Sequence, residues 1–381
     1  MTLDLISVRR HLHQIPELAM HESQTHKYLL KLINEFSTNN MEVFIPEQLP
    51  TAILVKVHGS NSKKTIGYRC DMDALPVSEK TGLDFSSRHD NVMHACGHDI
   101  HMTVAVGLLE HFASHQPIDD LIFFFQPAEE SESGAKVAVD SNLFSGNWHV
   151  DEFYGLHDTP ELPAGTIGCC YPTLFAGTSE VDITLIGKSG HAAYPHQAND
   201  MVVASAMLIT QLQTIVSRNV DPIQGAVLTF GQINGGTIRN VIAGRVDIKG
   251  TIRGLNQEMI QTVKTRIIEI CKGIEVGFKC QVKVDINQGG YYPVNNNQKL
   301  TDRFMNFMQA NPDVDFTVTM PAMTGEDFGY ILHHFDGTMF WLGVGNTTAL
   351  HTDTFNPDED CIEKGIKAIS SFLEFEMRED D

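Results

Sequence analysis

The amino-acid sequence predicts an α/β protein in which an α+β domain is inserted into a larger domain. The larger domain is predicted to have a mostly parallel or mixed sheet with helices on both faces, and the insert a four-stranded antiparallel sheet and two helices. Three observations support this: a length of 381 residues, short continuous apolar runs towards both ends, and alternating apolar residues after residue 177. The predicted domains are 1–176 with 289–381, and the insert 177–288.

Continuous apolar runs predict the strands of the larger domain. They lie at Ile53 to Val57, Thr65 to Tyr68, Leu121 to Phe125 and Phe153 to Leu156. Strands of this kind are buried on both faces, which is typical of a largely parallel sheet covered by helices. A further run, Met339 to Val344, indicates that the tail of the chain completes this sheet.

Alternating apolar residues predict the strands of the insert. Val181, Ile183 and Leu185 alternate with polar residues, and the segments RVDIKGTIR and QVKVDIN repeat this pattern. Alternation indicates strands with one buried face, as in an antiparallel sheet. Apolar residues at spacings of three and four predict two helices, from Asn199 to Arg218 and from Gln257 to about Gly273.

The composition limits which binding partners and which cellular compartment are expected for the protein. The net charge of −21, from 27 basic and 48 acidic residues, repels nucleic acid and anionic membranes, so neither is expected as a partner. The N-terminus lacks the apolar region of a secretory signal, and no apolar run has the roughly 20 residues that span a bilayer. The seven cysteines form no CxxC pair and indicate a reducing compartment. We therefore expect a cytoplasmic protein.

Polar residues follow the predicted strands of the larger domain. The carboxyl ends of strands in open α/β sheets form the crevice where ligands bind, so we expect these residues to converge. They are Asp71 and Asp73, Glu129 and Glu130, His157, and His351. Each alone has an ordinary explanation, such as a solvated surface pair for the two glutamates, but their shared position favours a site.

The stretch MHACGHDIH lies just before a helical apolar pattern and adds Cys96 and His98 to this edge. The unpaired N–H groups and positive dipole of a helix N-terminus are expected to favour a thiolate at Cys96. His94 and His101 are expected to support the site rather than bind metal. The candidate metal ligands are Cys96, His98, Glu130, His157 and His351.

Sulfur, nitrogen and oxygen donors together suit divalent Zn, Mn, Co or Ni, and two ions could share these ligands. The adjacent glutamates, Glu129 and Glu130, can divide the work: one binds metal while the other moves protons. The sequence does not indicate which of the two glutamates binds metal and which transfers protons. A nucleophilic Cys96 with a neighbouring histidine as base is disfavoured, because residues two apart around a glycine rarely reach the required geometry.

The chain resembles the M20 metallopeptidase and amidohydrolase family along nearly its whole length. The segments that carry the resemblance are RRHLHQIPEL, YRCDMDALP, MHACGHDIH, FFFQPAEE, GLHDTPELPAGTI, GKSGHAAYPHQANDMV, INGGTIRNVIAG, GTIR, MTGEDFGY and LHTDTFNPDED. The resemblance implies a catalytic domain with a two-metal site and an inserted lid domain that forms a homodimer. It also implies that all five candidate ligands bind metal, with Cys96 as the bridging ligand and Glu129 as the general base.

The resemblance assigns further residues by position. Asp71 stands where other branches have a metal-binding histidine, so Asp71 or Asp73 is expected to orient a ligand. In the lid, His191 corresponds to a histidine that stabilises the oxyanion in the other subunit. Asn240 and Arg253 correspond to positions that bind the substrate carboxylate.

The activity implied is removal of acetyl from a small N-acyl amino acid, N-acetyl-L,L-diaminopimelate, to give acetate and L,L-diaminopimelate in lysine biosynthesis. An alternative is a broader hydrolase of N-acyl amino acids such as hippurate. An alternative from another class is a non-catalytic binding protein on the same scaffold.

Overall fold

The structure is a computed structural model that describes residues 3–36, 38–345 and 348–378. The strands are β1 (Met41–Phe44), β2 (Ile53–Val57), β3 (Thr65–Asp71), β4 (Asp120–Gln126), β5 (Glu152–Thr159), β6 (Ile167–Cys169), β7 (Gly177–Ile186), β8 (Gly190–His191), β9 (Ala226–Gly235), β10 (Val241–Ile242), β11 (Arg245–Gly254), β12 (Gln281–Asn287), β13 (Phe316–Val318) and β14 (Asp336–Gly343). The helices are α1 (Leu5–Gln14), α2 (Ser23–Phe36), α3 (His98–Ser114), α4 (Gly134–Asp140), α5 (Met201–Arg218), α6 (Gln257–Phe278), α7 (Gln298–Ala310), α8 (Phe328–His334) and α9 (Asp360–Glu376). Two short 3-10 helices span Gly146–Trp148 and Pro195–Gln197.

The chain forms two compact units. Unit 1 comprises Met1–Leu174, Val294–Met320 and Asp327–Asp381, and unit 2 comprises Phe175–Pro293 and Pro321–Glu326. Unit 1 therefore takes its residues from both ends of the chain, and nearly all of unit 2 is one continuous segment.

Unit 1 is built on an eight-stranded mixed sheet in the order β1-β2-β4-β3-β5-β14-β6-β13. Its central strands β4, β3, β5 and β14 are parallel, whereas β1, β2 and β6 each pair antiparallel with a neighbour. The predicted mixed sheet is confirmed. Strand β14 lies between β5 and β6, so the tail of the chain completes the sheet as predicted.

Helices cover both faces of this sheet. Every residue of β3 and β5 is buried, as the continuous apolar runs predicted. Tyr154 of β5 packs edge-on against Phe372 of α9, with ring centroids 5.1 Å apart. The next residue, Phe153, packs against Phe328 of α8 at 6.5 Å. Neighbouring side chains of a strand point to opposite faces, so α8 and α9 lie on opposite sides of the sheet.

Helix α3 is the central helix of unit 1. It begins at His98, and every residue from His98 to Leu109 is buried. A helix that is apolar on all sides is a core helix, which explains why this segment lacks an exposed polar face. Because α3 packs against β3, β4 and β5, its first turn lies at a fixed place in the unit.

Unit 2 contains an antiparallel sheet in the order β12-β7-β11-β9, packed against α5 and α6. Val181, Ile183 and Leu185 of β7 are buried, and the residues between them are more exposed, so the predicted alternation is confirmed. Helix α6 runs to Phe278, and the predicted end near Gly273 is wrong. The helix ends where Lys279 adopts a left-handed conformation with φ 51°.

Helix α5 begins after Asp200, whose carboxylate caps the amides of Val202 and Val203. Among the described residues, α5 alone is long and apolar enough to cross a membrane by length and composition. However, Leu208, Leu212 and Ile215 on one side of it are buried in the core of unit 2. That arrangement is typical of a helix that packs on a sheet in a globular domain.

Candidate functional site

Unit 1 brings the five candidate ligands together. Cys96, His98 and His157 are buried, the Glu130 side chain is mostly buried, and the His351 side chain is half exposed. Their donor atoms fall into groups within 4.8 Å of one another, such as Cys96 with His98 and His157, and Cys96 with Glu130 and His351. Residues from the ends of two strands, β4 and β5, from the segment that leads into α3 and from the tail of the chain therefore face one small space.

The Cys96 sulfur is central to this cluster. It lies 3.2 Å from Nε2 of His351 and 3.6 Å from Nε2 of His157. The Glu130 Oε1 atom lies 3.6 Å from Nε2 of His351 and 3.9 Å from Nε2 of His98. All three histidines thus direct Nε2 towards the sulfur or the carboxylate.

Backbone carbonyls fix two of these rings. Nδ1 of His98 lies 2.8 Å from the carbonyl oxygen of Asp73, and Nδ1 of His157 lies 2.8 Å from that of Asp158. A carbonyl oxygen only accepts hydrogen bonds, so each Nδ1 carries the proton and donates it. In the neutral ring, each Nε2 then presents a lone pair to the cluster, which is the state that binds metal.

His351 is held by its backbone. It adopts φ 63°, in the left-handed region that a side chain with a Cβ atom rarely occupies. Its amide donates to the carbonyl oxygen of Ala95 at 2.7 Å. This contact ties the segment of His351 to the segment that carries Cys96, and the unusual conformation turns the imidazole towards the sulfur.

Asp71 and Asp73 occupy different positions around the cluster. The Asp73 carboxylate accepts hydrogen bonds from the amides of Glu129 and Glu130, each at 2.9 Å. The Asp71 carboxylate lies 2.6 Å from Nδ1 of His101 and 3.6 Å from Nε2 of His98. Asp73 therefore holds the turn of the two glutamates, and Asp71 holds histidines.

His101 lies between two carboxylates. Its Nδ1 contacts Asp71, and its Nε2 lies 3.0 Å from Oδ1 of Asp158. Its ring stacks on His98 and meets His157 edge-on, with centroids 5.3 and 4.9 Å away. His94 is also buried, and neither of its ring nitrogens has a hydrogen-bond partner in the described part of the chain.

Asp327 was not predicted as a site residue. Its amide lies 3.4 Å from Oε1 of Glu129, and its carboxylate accepts hydrogen bonds from Arg69 and Gln126 at 2.8 Å. All three partners are buried. The segment MTGEDFGY contains Asp327 and carries part of the family resemblance. That resemblance is the feature of the sequence that could have identified Asp327 as a site residue.

The cluster has an excess of negative charge. Burial lowers the pKa of His98, but Asp71, Asp73 and Glu130 outweigh burial and raise it to about 10. Burial raises the pKa of Glu130 to about 6. Burial, with the nearby carboxylates, also raises the pKa of Cys96 well above its usual value. Burial and the carboxylates therefore oppose the thiolate that the helix N-terminus is predicted to favour at Cys96.

These residues fit a divalent cation. Within residues 3–36, 38–345 and 348–378, neither Nε2 of His98 nor Oε1 of Glu130 has a hydrogen-bond partner, although both atoms are buried. Buried polar atoms are nearly always paired, so two unpaired polar atoms facing one space indicate a missing partner. A cation would accept both lone pairs, stabilise the Cys96 thiolate and offset the excess of carboxylates.

The three candidate residues of unit 2 are exposed or half buried. His191 is exposed, its Nδ1 accepts from the amide of Ala193, and the amide of Ala192 donates to the carbonyl of Asn240. His191 and Asn240 are therefore close to each other, beside a cleft of about 550 Å³ whose wall includes Ala192. Arg253 lies elsewhere in unit 2, on β11 opposite Thr178, and is half buried.

Known proteins similar to the chain are N-acetyldiaminopimelate deacetylases. The one from Limosilactobacillus reuteri is 59% identical over 375 residues, which are 98% of each chain. The one from Limosilactobacillus fermentum is 57% identical over 380 residues, which are 100% of this chain and 99% of the relative.

A solved structure and a family model agree with these relatives. The YXEP protein of Bacillus subtilis, described as a dinuclear metal-binding peptidase of the M20 family, is 27% identical, with a TM-score of 0.86 and 98% of each chain covered. The model of peptidase family M20/M25/M40 matches residues 67–374. The chain, with its cluster of candidate metal ligands, therefore belongs to peptidase family M20/M25/M40.

Proposed function

We propose that this enzyme removes the acetyl group from N-acetyl-L,L-diaminopimelate and releases acetate and L,L-diaminopimelate, as a step of lysine biosynthesis. The observation that carries the proposal is the identity of 57–59% with N-acetyldiaminopimelate deacetylases over 98–100% of the chain. The reaction needs a base for water, a donor for the developing oxyanion and a cation for the substrate carboxylate. Side chains with each of these properties are present.

We assign two divalent metal ions to Cys96, His98, Glu130, His157 and His351. The mixed donors suit Zn, Mn, Co or Ni. The Cys96 sulfur contacts histidines from two different segments, which supports its assignment as the shared ligand. When bound, such ions polarise the amide carbonyl and lower the pKa of water.

Glu129 is the general base in this proposal. It accepts a proton from the attacking water and delivers it to the leaving nitrogen, so one carboxylate serves both steps. Its side chain is buried, and its amide and that of Glu130 are bonded to Asp73. A carboxylate on a fixed backbone stays within reach of the reacting atoms.

Asp71 and Asp73 orient other residues of the site. The Asp73 carbonyl sets the tautomer of His98, and the Asp71 carboxylate lies beside His98 and His101. Hydrogen bonds of this kind keep the ligand nitrogen aimed at the metal.

The residues of unit 2 bind the substrate. His191 donates a hydrogen bond to the oxyanion in the partner subunit, and Asn240 and Arg253 bind the carboxylate. Burial lowers the pKa of Arg253, and no carboxylate of the described residues lies within ion-pair distance of it. A half-buried guanidinium without a counter-ion is well suited to receive a carboxylate.

The proposed assembly is a homodimer formed through unit 2. Val202, Val203 and Met207 on the outer face of α5 are each about half exposed. Strand β9 is at the edge of the sheet, with Ile233 exposed. An apolar helix face beside an open strand edge is a surface that a second copy would cover.

The proposed compartment is the cytoplasm. All seven cysteines are free thiols, and six of them are buried. Free thiols persist in a reducing environment.

A competition assay tests the substrate. Metal-loaded enzyme is mixed with N-acetyl-L,L-diaminopimelate, hippurate and N-acetyl amino acids, and release of each acid is followed. We expect kcat/KM for N-acetyl-L,L-diaminopimelate to exceed that for hippurate by at least about 100-fold, because polar groups of a matched site stay unpaired with other substrates. A preference for hippurate would establish the broader hydrolase, and binding without any turnover would establish a binding protein.

A further inference from the structure

A buried glutamate outside the predicted set contacts the turn that carries Glu129. Glu22 lies between α1 and α2, and its side chain is fully buried. Its Oε1 accepts from the amides of Ala128 and Met20, each at 2.9 Å, and its Oε2 accepts from the Thr51 hydroxyl at 2.9 Å. This one carboxylate therefore links the residue before Glu129 to two other segments of unit 1.

Ala128 needs such a contact. It is fully buried and adopts φ 59°, in the left-handed region that residues with a Cβ atom rarely adopt. Its amide is held by Glu22, and its carbonyl accepts from the amide of Gly134 at 3.0 Å. The peptide groups on both sides of Ala128 are thus fixed by partners outside the residue.

The next two amides are held in the same way. Asp73 accepts from the amides of Glu129 and Glu130, so three consecutive N–H groups end on carboxylate oxygens from elsewhere in unit 1. The two segments that supply these carboxylates are also joined, because the amide of Ala74 donates to the carbonyl of Glu17 at 2.8 Å. The turn of the two glutamates is therefore held by two segments that are hydrogen-bonded to each other.

We propose that Glu22 is a positioning residue for the reaction: it holds Ala128 in the left-handed conformation and thereby aims the Glu129 carboxylate. This inference rests on the proposed function, in which Glu129 is the base. If Ala128 relaxes to an ordinary conformation, the backbone direction into Glu129 changes. A displacement of about 1 Å of a reacting group can lower the rate about 100-fold.

Two substitutions at Glu22 distinguish the hydrogen bond to the Ala128 amide from the negative charge of the carboxylate. Glu22→Ala removes the acceptor for the Ala128 amide, and we expect kcat to fall about 30-fold while KM changes less than about threefold. Glu22→Gln keeps a carbonyl oxygen at the same place, so its kcat should stay within about threefold of wild type. Metal content, measured on each purified variant, should not change.

Glu17→Ala is the matched control. Glu17 lies in the same segment, and its carboxylate accepts from the amides of Gln24 and Thr25 at the start of α2 instead of Ala128. This variant should lower the melting temperature and keep the wild-type kcat. A loss of kcat in Glu17→Ala equal to that in Glu22→Ala would show that the whole segment matters and would overturn the specific role of Glu22.

Rescue gives the sharpest test. Glycine adopts φ near 59° without strain, so Ala128→Gly should make Glu22 less necessary. We expect the double variant Glu22→Ala with Ala128→Gly to regain about tenfold in kcat over Glu22→Ala. If Glu22→Ala does not fold, the double variant is compared with Ala128→Gly alone, and similar kcat values support the proposal.

Other results would overturn it. They are a wild-type kcat in Glu22→Ala, loss of metal together with activity, and absence of rescue in a folded double variant. Glu129→Gln is assayed in parallel, because retained activity in that variant would refute the proposed base whatever the Glu22 variants do.

Discussion

The two units hold their candidate functional side chains in opposite ways. In unit 1, Cys96, His98 and Glu129 are buried, and neighbouring groups fix the ring of His98 and the amide of Glu129. In unit 2, His191 is exposed at the end of β8, and Asn240 is exposed in a turn. Burying polar groups is unfavourable unless partners satisfy them, so unit 1 must be organised before substrate arrives. The exposed polar residues of unit 2 are solvated, so they need no fixed partner before they bind.

The comparison predicts which substitutions change activity and which change stability. Substitutions of the candidate metal ligands in unit 1 should change metal binding, activity and stability together, whereas a substitution of the proposed base, Glu129, should change activity alone. Those at the exposed residues of unit 2 should change activity alone.

Glu129→Gln should have the largest effect. We expect kcat to fall about 1,000-fold, because the amide cannot accept the proton of the attacking water. Metal content should remain that of wild type, as measured by elemental analysis. Glu132→Gln is the control, because Glu132 is exposed nearby and loses the same charge. Activity above about one tenth of wild type in Glu129→Gln would show that another group is the base.

Gly97→Ala should strongly destabilise unit 1. Gly97 has φ 75°, and a Cβ atom there would lie 2.4 Å from Oδ2 of Asp158. We expect the free energy of unfolding to fall by about 3 kcal/mol, from backbone strain together with displacement of a buried carboxylate. Gly146→Ala is matched to it, since Gly146 has φ 59° and nothing within 4 Å of the added atom. Equal losses in urea titrations of the two variants would mean that the Asp158 contact is unimportant.

His191→Ala should reduce activity without destabilising the protein. Loss of an oxyanion donor lowers kcat about 100-fold, whereas an exposed side chain contributes little to the free energy of unfolding. The variant is assayed for kcat and melting temperature beside His196→Ala, an exposed neighbour that should retain activity. A melting temperature as low as that of Gly97→Ala would contradict the comparison between the units.

Glu22 should make the stability of unit 1 depend on pH. Burial raises the pKa of Glu22 to about 7, from an ordinary value of 4.5. Between these values the unfolded chain releases the proton and the folded protein keeps it, so stability falls as pH rises through this window and levels off above it. Glu22→Gln does not have this titratable group, and its free energy of unfolding relative to wild type should rise by roughly 3 kcal/mol from pH 4.5 to pH 8. A difference that does not change with pH, measured by urea titration, would show that Glu22 does not titrate in this range.

Much of the fold could be predicted from the sequence because the apolar patterns are long and clear. The runs that gave β3, β4 and β5 are buried on both faces, and the alternating residues of β7 are buried on one. Strands β6 and β13 have three residues each, too few for a pattern. The end of α6 was misplaced because Gly273 is a stop signal in many helices, but here the chain continues to Phe278.

The candidate ligands are visible in the sequence because each lies at or after the end of a predicted strand or at the start of a predicted helix. The raised pKa of the Cys96 thiol could not be predicted. The helix N-terminus is visible in the sequence, but the carboxylates around the sulfur are not. Glu22 and Asp327 contact the turn of Glu129 across 106 and 198–201 positions of sequence. Such contacts exist only after the unit has folded, so no local pattern indicates them.

The contact between Cys96 and His351 spans 255 positions, and it has a consequence for the synthesis of this protein. A growing chain exposes Cys96, His98 and Glu130 long before His351 and strand β14 leave the ribosome. Until then the sheet lacks a central strand and the candidate cluster lacks one of its proposed ligands, so under the proposed assignment tight metal binding requires a finished unit 1. Chains truncated before His351 should then bind metal more weakly than the full chain.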